Sequence, residues 1–411
     1  MYHKLLAVSA RIVKSRKASS MMREAELLRK ITILCVAVLW LLGMESAALA
    51  SPVTTSRSAV RSSSRSVRSV NSSSAQTRVS RRKKRRYNPW RISSYGEPAA
   101  ADNPAGEDPN VREAVVEALG KWNGAAVVVD PNTGRVLAAV NQPLALSGAF
   151  TPCSTFKPIV GLAALKEGII TPETKLRVGR RTRLDLTEAL AHSNNPFFQK
   201  LGRELGFDRL SELAHRFGLG EKTGLNIPGE SAGRFPQVVP KDGGVGLMSS
   251  HGKDIEVTPL QMAAVISAFA NGGTLFHLQY PRTPEELEQF QPQVRGHLDD
   301  FAGYFPQVRD GLAAAVLYGT GRQAFDPDEQ IFGKTGTCSE NGARLGWFVS
   351  YSSEPQPKYA VVILLRGGKM MFGPHAAEIA GRIYRGIRQR EPQPTPTQAS
   401  TPPSPRSLLS F

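Results

Sequence analysis

Apolar positions begin to recur regularly near residue 110. Val111, Val115, Val116 and Leu119 follow helical spacing and predict a helix over 110–121. The stretch AAVVVDPNTGRVLAAV (125–140) places two apolar runs either side of Asp130-Pro131-Asn132-Thr133-Gly134. Those five residues favour a turn, so the stretch predicts a hairpin. Three more strand candidates come late, at 331–338, 345–351 and 359–365, and a last helix at about 374–388. Between the strand groups the pattern is helical, over 155–167, 187–206, 208–217 and 258–271. The last of these opens on Thr258 as N-cap with Pro259 after it. The fold class is therefore α/β mixed (α+β). Two early strands, three late ones and a helical block between suggest one mixed sheet. Terminal helices would cover one face and a helical subdomain the other. No internal repeat is visible.

At 411 residues the chain can hold one large domain or two average ones, and 41% hydrophobic residues suit a packed core. The charge changes the picture. Of the formal +17, +5 falls on residues 1–50 and +12 on 51–96, which leaves 97–411 neutral. The high pI thus belongs to the N-terminal appendages and says nothing of what the core binds. Residues 31–44 (ITILCVAVLWLLGM) are apolar and follow Arg29-Lys30. They read either as the core of a cleaved signal peptide ending at Ala48-Leu49-Ala50, or as part of an uncleaved anchor over 31–50. Both readings send the chain to the cell envelope, on the extracytoplasmic face. Residues 51–105 read as a disordered Ser/Arg-rich linker, basic up to Arg86. Such a segment suits anionic lipid or wall polymer. Nucleic acid fits less well, because aromatics are not interleaved for stacking. The folded domain is expected over 106–390, with a Pro/Ser-rich tail over 391–411.

Three short elements carry candidate chemistry. In Ser154-Thr155-Phe156-Lys157 the hydroxyl and the amine lie one helical turn apart. A serine becomes a useful nucleophile once a base takes its proton, and a lysine can be that base if its pKa is lowered. Ser193-Asn194-Asn195 offers a second hydroxyl and an amide. Read alone, it is a polar helix break. Lys334-Thr335-Gly336-Thr337 puts a lysine inside an apolar strand, where its charge needs a reason. Gly336 would let a ligand backbone come close. A phosphate-loop reading of Gly333-Lys334-Thr335 fails, because position 328 is Asp328 and the lysine does not open a helix. His192, His215 and His251 have no metal spacing, and no metal or cofactor is expected.

The order S-x-x-K, S-x-N, K-T-G resembles the penicillin-binding protein transpeptidase domain. The likeness extends through TPCSTFKPIVGLAALKEG, LTEALAHSNNPFFQKLGRELGFDRL, VTPLQMAAVISAFANGG, YGTGRQAF and GWFVSY, roughly residues 111–390. It is closest to the class B type. The resemblance implies a β-lactamase/transpeptidase-like fold, with a five-stranded antiparallel sheet. It implies that Ser154 attacks a D-Ala-D-Ala stem peptide or a β-lactam and that Lys157 accepts the proton. Ser193 would pass a proton to the leaving nitrogen, Asn195 would orient Lys157, and Lys334 would support Ser193. Thr335, Gly336 and Thr337 would hold the substrate carboxylate and backbone. The backbone N–H groups of Ser154 and Thr337 would form the oxyanion hole. Cys153 and Cys338 sit as in the active-site disulfide of carbapenem-hydrolysing class A β-lactamases, which implies that they pair. The resemblance also raises other cell-wall synthesis proteins as partners.

The stretch between Ser154 and Ser193 is shorter than is usual for the family, and no glycosyltransferase or pedestal domain is evident. Three rival readings therefore stand: a D,D-carboxypeptidase, a serine β-lactamase, and a sensor of β-lactams or wall fragments. No E-x-x-L-N segment of the class A β-lactamase kind follows the second motif, although Ser-Thr-Phe-Lys is also found in class D enzymes.

Overall fold

The computed structural model describes residues 90–353 and 357–391. The expectations for the signal or anchor segment, Cys35, the basic linker up to residue 89 and the tail from 392 fall outside the described residues. Among the described residues, no helix is long and apolar enough to cross a membrane.

Helix α1 (Pro109–Leu119) starts where the Asp108 carboxylate accepts from the Val111 N–H at 3.0 Å, with proline in the first turn. The hairpin follows as β1 (Gly124–Val129) and β2 (Val136–Val140), with Val127 opposite Ala139. Asp130 ties its turn by accepting from Asn132 N and Thr133 Oγ1. A helical block comes next: α2 (Lys157–Lys166), α3 (Leu186–Ala191), α4 (Asn195–Arg216), α5 (Gly244–His251), α6 (Pro259–Ala270) and α7 (Phe305–Leu317). The chain then returns as β3 (Gln330–Glu340), β4 (Ala343–Ser353) and β5 (Ala360–Gly367), and α8 (Gly373–Arg390) closes it.

The five strands form one sheet in the order β2-β1-β5-β4-β3. Every ladder is antiparallel, so the sheet is not the mixed one that the bare pattern suggests. One reason lies in the β3–β4 connection. Asn341-Gly342 links the strands in two residues, both with positive φ, the geometry of a tight hairpin turn.

Adjacent strand residues face opposite sides, so a sheet covered on both sides needs continuous apolar strands. All six β1 residues are buried. Ala126 and Val128 join Val361, Ile363 and Leu365 beneath α1 and α8, against Val115, Leu119, Ile379 and Ile383. Ala125, Val127 and Val129 join Val362, Leu364 and Trp347 on the other face, against the helical block. Each buried valine, leucine or isoleucine contributes roughly 1.5–3 kcal/mol. Helix α6 lies along this second face and is buried on nearly all sides. Its start is a capping box, in which Thr258 Oγ1 accepts from Gln261 N and Gln261 Oε1 accepts from Thr258 N.

Two departures from the sequence reading matter. The helix expected over 187–206 is broken between Ala191 and Asn195. Ser193 takes φ 53 there, and Asn194 restarts the helix by accepting from Phe197 N at 2.9 Å. Helix α4 then continues past a kink at Gly206. The ordered body also starts before residue 106, inside the stretch read as linker. Arg91 N donates to Gly342 O, and Tyr95 stacks on Trp122 with centroids 4.8 Å apart. The Asp102 carboxylate accepts from Asn141 N, Gln142 N and the Arg112 guanidinium. Residues 90–105 are therefore held mainly by polar contacts, which hydrophobic patterning does not register.

Candidate active site

A single 3₁₀ turn, Cys153–Phe156, leads into α2 and carries Ser154, which is half-buried. Lys157 N donates to Ser154 O, which locks the two residues one turn apart. Cys153 holds φ 54, a conformation costing on the order of 1 kcal/mol that surrounding contacts must impose. Its sulfur is bonded to Cys338 on β3, with 5.7 Å between the Cα atoms. Thr151 adds to the clamp. Its N–H and hydroxyl both donate to Glu340 Oε1, and its carbonyl accepts from Trp347 Nε1. Gly336 explains how close β3 comes: a Cβ there would stand 3.0 Å from both Pro152 O and Thr155 Cγ2.

The Lys157 amine is fully buried. It lies 2.7 Å from Ser193 O, 3.0 Å from Ser193 Oγ and 2.6 Å from Asn195 Oδ1. The break between α3 and α4 is what turns both residues toward it. Burial first, then the positive Lys334, hold its ammonium well below the usual lysine range. A neutral amine has two N–H groups and one lone pair. The Ser193 carbonyl and Asn195 Oδ1 can only accept. The Ser193 hydroxyl is thus the one of the three partners able to donate to that lone pair, a ready path for a proton between Ser193 and Lys157.

Lys334 lies in the interior of β3 and is fully buried, with Nζ donating to Thr335 O at 3.1 Å. Burial lowers its pKa to about 7. Thr335 Oγ1 is 2.6 Å from Thr320 Oγ1, and Thr337 Oγ1 accepts from Gly373 N at 2.8 Å. Both threonine hydroxyls therefore have protein partners already. Thr337 itself is exposed, and β3 is an edge strand. A cleft of about 390 Å³ opens beside the turn, lined by Thr151, Arg234, His251, Lys253, Cys338 and Glu340, among others.

The structure thus joins Lys157, Ser193 and Asn195 directly, and packs the Lys334 strand against the turn bearing Ser154. Two neighbours were not singled out for the site from sequence: Thr320, inside the quoted YGTGRQAF, and His251, whose Nε2 is 3.2 Å from Asn195 Nδ2. His192 stays at the surface, 3.3 Å from Glu188, and His215 packs edge-on to Phe235.

A family model described as the penicillin-binding protein transpeptidase domain matches residues 124–385. The chain belongs to that family. Among curated relatives, this transpeptidase-domain protein is 28% identical over 311 residues to the peptidoglycan D,D-transpeptidase FtsI of Escherichia coli K12, covering 64% of this chain and 51% of that one. It is 27% identical over 328 residues to the stage V sporulation protein D of Bacillus subtilis, covering 65% and 50%. It is 26% identical over 368 residues to the peptidoglycan D,D-transpeptidase MrdA of Haemophilus influenzae, covering 68% and 55%. The chain therefore spans about half the length of these relatives. The transpeptidase domain of Burkholderia pseudomallei penicillin-binding protein 3, a solved structure, matches with a TM-score of 0.60 at 22% identity. That match covers 70% of this chain and 96% of that one, and it shows the shared fold.

The buried Lys334 of this family member yields a prediction with a definite sign. Its folded pKa of about 7 lies below the unfolded value, so between roughly pH 7 and 10 the unfolded chain binds more protons. Stability from this group therefore rises with pH across that window. Lys334→Met is expected to raise the melting temperature at pH 6.5, and to narrow its advantage over wild type by pH 9.5. A melting difference independent of pH contradicts the assignment.

Proposed function

We propose that this chain is a serine acyltransferase acting on D-Ala-D-Ala stem peptides of peptidoglycan as a D,D-transpeptidase, and that β-lactams acylate it at Ser154. The observation that carries the reading is the buried Lys157 amine, held by Ser193 and Asn195 one turn after Ser154. Burial and the neighbouring Lys334 favour the neutral form of this amine, which is the form able to take a hydroxyl proton.

In this reading an extended stem peptide lies along the open edge of β3, as a strand adds to a sheet. Ser154 Oγ attacks the carbonyl of the penultimate D-Ala while its proton passes to Lys157. The oxyanion rests on the N–H groups of Ser154 and Thr337, each such donor contributing about 3 kcal/mol at the transition state. Lys334, Thr335 and Thr337 face the terminal carboxylate, with Gly336 leaving room for the peptide. The proton returns through Ser193 to the leaving D-Ala nitrogen. A second stem peptide's amine then takes the acyl group from Ser154. The names of the FtsI and MrdA relatives support this choice over other acyl transfers. We place the domain outside the cytoplasmic membrane, exported through the apolar 31–50 segment. The basic stretch after it would serve as a linker drawn to anionic lipid or wall polymer.

Incubating the protein with a D-Ala-D-Ala pentapeptide, with and without an amine acceptor, tests the reading. Transfer to the acceptor should exceed hydrolysis, and nitrocefin should leave a persistent adduct. Hydrolysis alone would make it a carboxypeptidase. Many nitrocefin turnovers per second would make it a β-lactamase. An adduct with no peptide turnover would make it a sensor.

A further inference from the structure

His251 ends α5, and α5 packs against the turn that bears Ser154. None of the three motifs includes it. Its ring nevertheless stands between Ser250, which bonds a helix carbonyl, and Asn195, which bonds the Lys157 amine. Nδ1 is 2.7 Å from Ser250 Oγ, and that hydroxyl gives its single proton to Gly246 O at 2.9 Å. The Ser250 oxygen can then only accept, and this bonding pattern assigns the imidazole hydrogen to Nδ1. Nε2 is left with its lone pair facing Asn195 Nδ2, at 3.2 Å. The other end of that amide, Oδ1, accepts from Lys157 at 2.6 Å. Turning the amide over would set an N–H against the amine and an oxygen against the imidazole lone pair.

We infer that His251 is a positioning residue, which fixes the Asn195 amide with Oδ1 toward Lys157 and so sets the direction of the proton path. The inference rests on the reading of Lys157 as the base for Ser154. The ring works in its neutral form. Burial, and then the charge on Lys157 whenever that amine is protonated, keep it less basic than an ordinary histidine. The other charges nearby occur as the Lys253–Asp254 and Arg234–Glu256 pairs, together with Glu340, which is bonded to Thr151. Protonation would put an N–H on Nε2 against the Asn195 N–H and undo the lock.

The test is the second-order rate of Ser154 acylation by a fluorescent penicillin between pH 5 and 8. His251→Phe should lower the rate about tenfold at pH 7.5, the lower end of what losing an orienting hydrogen-bond partner costs around metal ligands. The gap to wild type should narrow toward the acid end of that range, as the wild-type ring takes a proton. His251→Gln, which can present an amide oxygen to Asn195, should recover at least about half of the lost rate without that convergence. Should the phenylalanine variant not fold, Ser250→Ala frees the tautomer with the ring in place, and about a threefold loss is expected. A His251→Phe rate within twofold of wild type at every pH overturns the inference. So does an equal loss in the Phe and Gln variants accompanied by an equal drop in melting temperature. Failure of the wild type to acylate at Ser154 would instead sink the acyltransferase reading beneath it.

Discussion

Replacing Ser154 by alanine is expected to abolish covalent labelling by a fluorescent penicillin, with at least about a 10⁴-fold loss of acylation. The argument is one of position. Of the two hydroxyls on the turn that opens α2, Thr155's is buried and donates to Pro152 O, which leaves Ser154's, one turn before the buried amine. Ser193 also touches Lys157, but it sits in the left-handed break between α3 and α4, where the proposed mechanism uses it to relay a proton. Ser193→Ala should therefore slow labelling without removing its site. Folding should be unaffected by Ser154→Ala, within about 0.5 kcal/mol, since a half-buried hydroxyl is all that is lost. Peptide mapping of the adduct decides the matter. Label recovered on Ser193, or undiminished in the Ser154→Ala protein, would move the nucleophile elsewhere.

Removing the Cys153–Cys338 bond is expected to have the largest effect on stability. The two residues are 185 apart in sequence. Closing a loop of that size is worth roughly 5 kcal/mol in the chain-entropy model. For a body of this length the melting temperature should fall by about 10 °C in the double serine variant, or on full reduction. Activity should fall with it, because the bond anchors a residue of positive φ beside Ser154. A protein whose melting curve is the same with and without reductant would show the bond to be energetically idle.

How much was legible in the sequence depended on the kind of interaction. The β1–β2 hairpin and the three late strands were legible because a sheet covered on both faces demands unbroken apolar runs. Helix α6 was legible through its cap, Thr258 with Pro259. The disulfide and the roles at the site came from resemblance to the family, not from periodicity. Helix α5 was missed because GVGLMSSH is glycine- and serine-rich, with little pattern of its own. His251 was considered only for metal spacing, because its partners Asn195 and Ser250 are defined by geometry that one sequence does not carry. The break at Ser193 was anticipated as a polar interruption, while the helix pattern around it argued for continuity. A left-handed serine resolves the two.

The polar strap formed by residues 90–108 bears on where this body can be cut. Arg112 is mostly buried, and its guanidinium rests on the carboxylates of Asp102 and Glu107, at 2.8 and 3.1 Å. Glu107 also bonds the Tyr280 hydroxyl and the Ala139 N–H on β2. A fragment trimmed to the family match at residue 124, or even to Asn110, would discard both carboxylates. The longer fragment would keep an arginine with no counter-charge, and either would leave a sheet edge short of its acceptors. The smallest autonomous unit therefore begins upstream of residue 124, where the family model starts to match.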